Sequence, residues 1–258
     1  MEIEKAGLDR FQRITSIATL NPVFCKEDEA IFDAINKIIS SEHEKLPIVD
    51  KKNKLIGLIS FMDILDAFLR KQNLGDKVST IMVRDLVFCE ATDTLDFVLQ
   101  KIKLSRKGML PVIANEKLVG VVSESDFVKH FDKIEFGIKV GEMMTKKPFF
   151  ISPEITILDA LRRAVNVKYR RLPVVQDKKL LGLFATFDVL QPIKSKFNFT
   201  QSITSSMVKK VLTAKKDEDV SDAIKVMKAN RIDGLPVIDE ENNLEGIITE
   251  RDILEEIV

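Results

Sequence analysis

The sequence predicts an α/β protein built from four copies of one unit, in which the order is strand, helix, strand, strand, helix. The first observation is a motif of glycine, two apolar residues, a small residue and an aspartate three positions later, which occurs four times in 258 residues. Its aspartates, Asp63, Asp126, Asp188 and Asp252, are spaced by 63, 62 and 64 residues. The second observation is a Leu-Pro pair nine or ten residues before each motif glycine. A constant period indicates tandem structural repeats.

The elements are clearest in the fourth repeat. Residues 211–213 form a short apolar run that is typical of a strand. Apolar residues between positions 223 and 227 have helical spacing, and Asp219 or Ser221 can cap the start of that helix. A strand that begins with proline, a polar turn, a third strand and a final helix follow, at residues 235–238, 239–243, 244–248 and 250–257.

The other three repeats follow the same order. The first strands are predicted at residues 23–25, 87–89 and 149–151, the first helices near Ile31–Ile39, Leu95–Ile102 and Ile157–Val165, and the hairpin turns at 50–54, 114–117 and 176–179. A domain of about 60 residues buries only about 60% of the surface of its unfolded chain. We therefore expect the repeats to pair into larger modules.

Composition excludes several classes of function. Lys plus Arg equals Asp plus Glu, 40 each, so the basic excess that an extended nucleic-acid surface needs is missing. Two cysteines and two histidines predict neither a disulfide framework nor a metal site. The N-terminus lacks a signal-like apolar region, and no apolar run approaches the roughly 20 residues of a membrane helix. These features predict a reduced, cytoplasmic protein outside the membrane.

These elements resemble the cystathionine-β-synthase (CBS) domain, because the Leu-Pro strand and the Gly-apolar-apolar-Ser/Thr-x-x-Asp motif match that family. Two such repeats pair into a Bateman module, so the resemblance implies modules of repeats one with two and three with four. It also implies a disk-like arrangement, since the chain is similar to the γ subunit of AMP-activated protein kinase. The expected N-terminal segment and four CBS repeats are residues 1–13, 14–75, 76–135, 136–198 and 199–258.

The motif itself has two interpretations. Ser60, Ser123 and Thr249 directly precede a predicted helix and stand three residues before an acid, which is close to a capping box. In the third repeat Ala185 replaces the hydroxyl residue, and Thr186 can cap instead. Capping alone is one interpretation. The other is nucleotide binding, because a helix N-terminus attracts phosphate and a carboxylate can accept both hydroxyls of a ribose.

The CBS resemblance assigns roles to these residues. It implies that Asp63, Asp126, Asp188 and Asp252 bind ribose, and that Ser60, Ser123 and Thr249 lie near the phosphate. Basic residues before the Leu-Pro strand are implied to hold phosphates, and these are Arg106, Lys168, Arg170, Arg171 and Arg231. The alternative for each basic residue is a solvated helix end. The first repeat carries Glu42, His43 and Glu44 instead.

Two further pairs stand out. Cys25 and Cys89 occupy the same position in the first two repeats and are interpreted as small apolar residues of a buried strand, with an adenine pocket as the alternative. Phe197 and Phe199 lie in the linker after the third repeat, where they can cover a module junction or contact a partner.

The sequence thus predicts a regulatory protein that binds AMP, ADP or ATP and acts in trans on a protein partner. S-adenosylmethionine or another adenosyl compound as ligand, and a ligand-free scaffold, remain as alternatives. Catalysis is not expected, because the sequence lacks a nucleophile–base pair, a paired-histidine metal motif and a P-loop. Neither a catalytic cofactor nor a metal is expected, a homodimer is an open option, and nucleic acid is a disfavoured partner.

Overall fold

The computed structural model of the chain describes residues 4, 7–132, 134–195 and 197–257. The first repeat consists of β1 (Thr19–Leu20), β2 (Cys25–Lys26), α1 (Ile31–Ser41), β3 (Lys45–Val49), β4 (Leu55–Ser60) and α2 (Phe61–Leu69). The second consists of β5 (Cys89–Glu90), α3 (Leu95–Ser105), β6 (Met109–Ala114), β7 (Lys117–Ser123) and α4 (Glu124–Val128).

The second half repeats the order. The third repeat consists of α5 (Val140–Met143), β8 (Thr145–Lys146), α6 (Ile157–Val167), β9 (Arg171–Gln176), β10 (Lys179–Ala185), a 3-10 turn (Thr186–Val189) and α7 (Leu190–Ile193). The fourth consists of α8 (Val220–Asn230), β11 (Gly234–Ile238), β12 (Leu244–Thr249) and α9 (Glu250–Ile257). Mixed helices and strands confirm the α/β class, and the helix–hairpin–helix order holds in each repeat.

The first helix of each repeat forms for reasons visible in the sequence. In α8 the Asp219 carboxylate accepts a hydrogen bond from Ser221 N at 2.9 Å, so Asp219 is the cap. Buried residues recur at helical spacing, as Ile31, Ala34 and Ile35 do in α1. All four of these helices end at a left-handed residue, with φ between 53° and 58°, at Glu42, Arg106, Lys168 and Arg231.

The predicted first strands are wrong in their extent. Only Cys25–Lys26 and Cys89–Glu90 form ladders, each parallel to the next strand of the repeat. In the third and fourth repeats a single bridge replaces the strand, at Ile151 and Ala214. The segment before each first helix pairs with the next strand of its repeat over at most two residues and then enters the helix. The apolar residues that precede these two residues therefore lie outside the ladder.

Pairing between repeats uses short crossing segments that the sequence did not predict. The β1 strand pairs antiparallel with β7 of the second repeat, and β8 pairs with β12 of the fourth. Reciprocal bridges join Leu58 to Val83 and Leu183 to Val208. Each repeat therefore gives a segment to its neighbour, which confirms the pairing of repeats one with two and three with four.

Helices join the two modules. One apolar core combines buried residues of repeats one and three, and a second combines those of repeats two and four. Phe199 packs against Phe68 with ring centroids 5.1 Å apart, and Phe197 lies 5.0 Å from Phe199, so the linker phenylalanines cover the junction between repeats one and three. The disk shape remains a prediction. Within the described residues no helix has the length and apolar character needed to cross a membrane.

Candidate functional site

Each motif glycine lies where a crossing segment passes over the hairpin of the paired repeat. A Cβ atom at Gly246 would lie 2.5 Å from Met144 Sδ and 3.0 Å from Thr145 O, and one at Gly182 would lie 2.8 Å from both Met207 Sδ and Val208 O. Contacts this short leave no room for a side chain. The glycine therefore lets the crossing segment lie directly against the hairpin. We call the place where the crossing segment, the hairpin and the motif aspartate come together the cleft of that repeat.

The cleft of the fourth repeat has the most complete set of polar contacts. Thr249 donates to Asp252 Oδ2 from its backbone N at 2.8 Å and from its hydroxyl at 2.6 Å. Asp252 N donates back to Thr249 Oγ1 at 3.3 Å, so the predicted capping box exists. The other oxygen, Oδ1, accepts a hydrogen bond from Thr145 Oγ1 of the crossing strand at 3.0 Å. One carboxylate thus caps α9 and also faces the third repeat.

The first two repeats share the box but differ at the second carboxylate oxygen. Ser60 donates to Asp63 Oδ2 from N at 2.7 Å and from Oγ at 2.6 Å, and Ser123 makes both contacts with Asp126 Oδ2 at 2.9 Å. Lys129 Nζ donates to Asp126 Oδ1 at 2.8 Å. Among the described residues, Asp63 Oδ1 has no such partner. The hydroxyls donate to carboxylates here, so each must rotate before it can donate to a phosphate.

The third repeat departs from the pattern, and the predicted capping by Thr186 is wrong. Thr186 is fully buried, and its hydroxyl and backbone N both donate to Arg170 O, at 2.8 and 2.9 Å. Without a cap, the segment after β10 begins as a 3-10 turn that contains Asp188. Desolvation by neighbouring atoms raises the pKa of Asp188, while the Arg171 charge lowers it.

The predicted basic residues fall into two groups. Arg106, Lys168 and Arg231 are the exposed left-handed residues at the ends of the first helices. Arg106 lies 3.6 Å from Glu255, and Arg231 lies 3.8 Å from Glu42 of the first repeat. Exposed ion pairs at such distances contribute little, about 0–1 kcal/mol, so these side chains can reorient towards a ligand.

Arg170 and Arg171 belong to the second group, which lies where repeats one, three and four converge. The Arg170 guanidinium contacts Glu44 through Nη1 and Asp233 through Nη2, the latter at 2.7 Å. Arg171 contacts the other oxygen of Asp233. Hydrogen bonds between ionised groups such as these are stronger than those between neutral groups, and the planar guanidinium fixes their geometry. The carboxylates of Glu44 and Asp233 are thus already bound to the arginines that were predicted to hold phosphate.

A neighbouring group of charges joins repeats two and four to this centre. Arg251 Nε lies 3.0 Å from Glu124 Oε1, and Lys45 Nζ donates to Lys107 O. Burial lowers the pKa of Lys45 to about 8, with the Arg170 charge acting in the same direction. Burial, together with the Asp233 and Glu124 charges, raises the pKa of Glu250 to about 7.

Several of these residues escaped sequence reasoning. Thr145, Glu44 and Asp233 contact residues of other repeats, so spacing within a repeat carries no signal for these contacts, and Glu250 lies inside the fourth motif at a position that the motif does not specify. One signal was available. Glu44 and Asp233 stand at the position equivalent to Arg170, so opposite charges occupy equivalent sites of a repeat array.

The side chains described above are suited to binding a polar ligand. Carboxylates at helix N-termini, flanking hydroxyls and a convergent group of guanidinium ions suit a sugar diol linked to phosphates. Among the residues that the structure describes, no group of three or more His, Cys, Asp or Glu side chains could hold a metal ion. Cys25 and Cys89 are free and fully buried, and burial raises the pKa of both thiols to about 12. Their burial confirms the apolar strand position.

Known proteins share this architecture. Protein MJ1225 of Methanocaldococcus jannaschii is 25% identical over 251 residues, which span 86% of this chain and 90% of that protein. Its crystal structure, proposed to be that of an archaeal homologue of g-AMPK, matches with a TM-score of 0.89 at 24% identity and covers 96% of this chain and 100% of that chain. A conserved protein from Pyrococcus horikoshii matches with a TM-score of 0.67 at 22% identity, over 96% of this chain and 100% of its own. These structures share the fold.

A similarity to an enzyme is partial. Inosine-5'-monophosphate dehydrogenase of Methanocaldococcus jannaschii is 35% identical over 166 residues, which span 64% of this chain but only 31% of the enzyme. The sequence model of the CBS domain matches four segments, residues 14–70, 78–133, 140–195 and 202–258. Those segments cover most of the sequence and coincide with the four structural repeats. The chain therefore belongs to the CBS domain family.

Proposed function

We propose that this protein is a regulatory sensor of adenine nucleotides, AMP, ADP or ATP, bound in the clefts between paired repeats. The observation that carries the proposal is the divided use of the motif carboxylates. In Asp63, Asp126 and Asp252 one oxygen caps a helix, and the other lies outside the cap. A ribose diol needs such an acceptor, and the motif position is the one at which the CBS resemblance implies ribose binding.

The proposed site residues are those expected from the sequence. Asp63, Asp126, Asp188 and Asp252 would bind ribose. Ser60, Ser123, Thr249, Arg106, Lys168, Arg170, Arg171 and Arg231 would contact phosphates. The fourth cleft has the fullest set of expected residues, Thr249, Asp252 and Arg231, and a ribose there would replace the Thr145 hydroxyl on Asp252 Oδ1. The third has the weakest support at the hydroxyl position, where Ala185 stands.

The proposed output is a change in the arrangement of the two modules, read by a separate protein partner in the cytoplasm. A ligand shifts such an equilibrium only through different affinities for the two arrangements, and coupling of about 1–3 kcal/mol is typical. No role in catalysis is proposed. Small-angle scattering with and without nucleotide measures the change directly, and identical profiles at saturating nucleotide would exclude this form of output.

Isothermal titration of ligand-stripped protein with AMP, ADP, ATP and S-adenosylmethionine tests the binding proposal. The informative variant is Asp252→Asn, which retains an oxygen that can cap but loses the charge. Hydrogen bonds to charged groups contribute about 1.5–3 kcal/mol, so affinity at that cleft should fall by about tenfold to a hundredfold.

Asp159→Asn is the matched control. Asp159 exchanges the same two side-chain contacts with Thr156, hydroxyl to carboxylate at 2.9 Å and backbone N to hydroxyl at 3.1 Å, at the start of the first helix of the third repeat. An equal loss of nucleotide affinity in both variants would show that Asp252 has only a structural role. A lack of heat with all four ligands would leave the scaffold hypothesis, and tight binding of S-adenosylmethionine alone would favour the adenosyl alternative.

A further inference from the structure

One backbone position has the same structural task in all four repeats but a different side chain in each. Its carbonyl oxygen accepts a hydrogen bond from the backbone N of the first residue after the hairpin, at 2.9, 3.0, 2.9 and 3.0 Å. The residues at this position are Glu44, Gly108, Arg170 and Asp233. The carbonyl makes the same hydrogen bond in all four repeats, so this connection does not depend on which side chain stands there. Their charges therefore need a different explanation.

The side chains at three of these positions bind each other. Arg170 spans Glu44 and Asp233, and Arg171 contacts Asp233 as well. These side chains are between 23% and 39% exposed, so they lie partly within reach of solvent at the centre of the molecule. The Glu44–Arg170 pair joins the first module to the second, whereas the pairs of Asp233 join repeats three and four of the second module.

Within these four side chains the charge is balanced, with two guanidinium ions against two carboxylates. Further charges lie around them, on Lys45, Glu124 and Glu250. Guanidinium groups bind carboxylate and phosphate with the same forked geometry. The guanidinium N–H groups of Arg170 and Arg171 already donate to carboxylates, and these carboxylates repel a phosphate that approaches. It can use the arginines only by replacing one or both carboxylates.

We infer that Glu44 and Asp233 act as internal anions that occupy the phosphate position of Arg170 and Arg171 and determine how many phosphates this site accepts. The inference rests on the proposed nucleotide function for its natural ligand. A ligand with several phosphates displaces the carboxylates, whereas a nucleoside does not compete with them. Displacement of Glu44 also breaks an ion pair between the modules, so phosphate binding and module arrangement are coupled at one residue.

The test compares Glu44→Gln, Asp233→Asn and the double variant with the wild-type protein. Adenosine, AMP, ATP and inorganic tripolyphosphate are titrated by calorimetry at fixed ionic strength. Each substitution removes one competing charge and retains the side-chain shape. The affinities for ATP and tripolyphosphate should rise by about tenfold or more, equivalent to about 1.4 kcal/mol. AMP should gain less, and adenosine should be unchanged.

Glu116→Gln is the matched control. Glu116 forms an ion pair with Lys54 at 2.9 Å that also joins two repeats, but it lies in the hairpin of repeat two, away from the motif helices. It changes the net charge by the same amount, so a similar gain in this variant would assign the effect to overall charge and overturn the inference. Thermal unfolding of each variant confirms its folding. If Asp233→Asn does not fold, Glu44→Gln decides alone.

Two results overturn the inference: unchanged or weaker binding of ATP and tripolyphosphate in the carboxylate variants, or an equal gain for adenosine. Tripolyphosphate separates this failure from failure of the proposed function, because it has no nucleoside. If nucleosides and nucleotides do not bind but tripolyphosphate gains affinity in Glu44→Gln, the internal-anion assignment stands and the nucleotide function falls.

Discussion

Glu250 provides a quantitative test of the electrostatics at the centre of the molecule. It is the first residue of α9, and its pKa is raised from an ordinary value of 4.5 to about 7, first by desolvation and then by the Asp233 and Glu124 charges. A hydrogen bond from Ser125 and the Arg170 charge oppose the increase. Since the folded state holds this proton more tightly than the unfolded chain, Glu250 favours folding most below pH 4.5.

The sign and size of the effect follow from linkage. As pH rises from 4.5 to about 7, the unfolded chain releases the proton while the folded protein keeps it, so stability falls through this window and then levels off. One pKa unit corresponds to about 1.4 kcal/mol, which makes the total loss about 3 kcal/mol. Glu250→Gln cannot ionise and escapes this loss. Its advantage over the wild-type protein should therefore be about 2–3 kcal/mol larger at pH 8 than at pH 5.

Thermal unfolding at both pH values measures this difference. For a chain of this size a change of 1 kcal/mol shifts Tm by about 2–4 °C, so the pH-dependent part of the shift should be about 5–10 °C. Glu256→Gln, at an exposed position of the same helix, is the control for the loss of one glutamate charge, and an equal pH-dependent gain in this variant would assign the effect to net charge. If Glu250→Gln changed Tm equally at both pH values, or lowered it at pH 8, the assignment of a protonated Glu250 would be wrong.

Two more predictions concern packing. Gly182→Ala should destabilise the protein by about 1–3 kcal/mol, because its Cβ would lie 2.8 Å from Val208 O. Gly57→Ala should destabilise it less, since the closest contact of its Cβ is a flexible methionine side chain. Denaturant titration measures both changes, and the reverse ranking would contradict this reasoning. Cys25 and Cys89 should react with a thiol reagent at pH 8 only at the rate of unfolding, because burial raises both pKa values to about 12. Rapid labelling of the folded protein would show that the thiols are accessible.

The sequence predicted what depends on local pattern. The period of the motif and the polar turn residues predicted the positions of the hairpins. The capping box between Ser60 and Asp63 is present, as the spacing of the two residues predicted. The first helices were found because their apolar spacing repeats over three turns. A strand such as Thr19–Leu20 spans two residues, so it has no period that a sequence pattern could show. Its existence depends instead on a partner strand far along the chain, where Leu20 pairs with Gly120 and Thr19 with Val121.

The charges at the centre show the same limit more clearly. Arg170 was singled out as a basic residue near a cleft, but its partners Glu44 and Asp233 lie 126 and 63 positions away in the chain. Examined alone, repeats one, three and four each show charged residues before a strand. The ion pairs appear only when the fold brings repeats one, three and four together. A phosphate that binds the arginines must then displace the carboxylates of Glu44 and Asp233.

The junctions between the modules differ in a way that bears on the proposed response. Repeats one and three meet through an aromatic contact as well as a charged one: the ring centroids of Phe61 and Phe187 are 5.5 Å apart, and Arg170 pairs with Glu44. Repeats two and four meet at the equivalent helix starts through the Arg251–Glu124 ion pair, beside Glu250. Coulomb energies in this partly buried centre change strongly with an added charge, whereas aromatic contacts do not. We therefore expect an anionic ligand to alter the charged contacts at both junctions, Arg170 with Glu44 and Arg251 with Glu124, while the contact between the phenylalanine rings is retained.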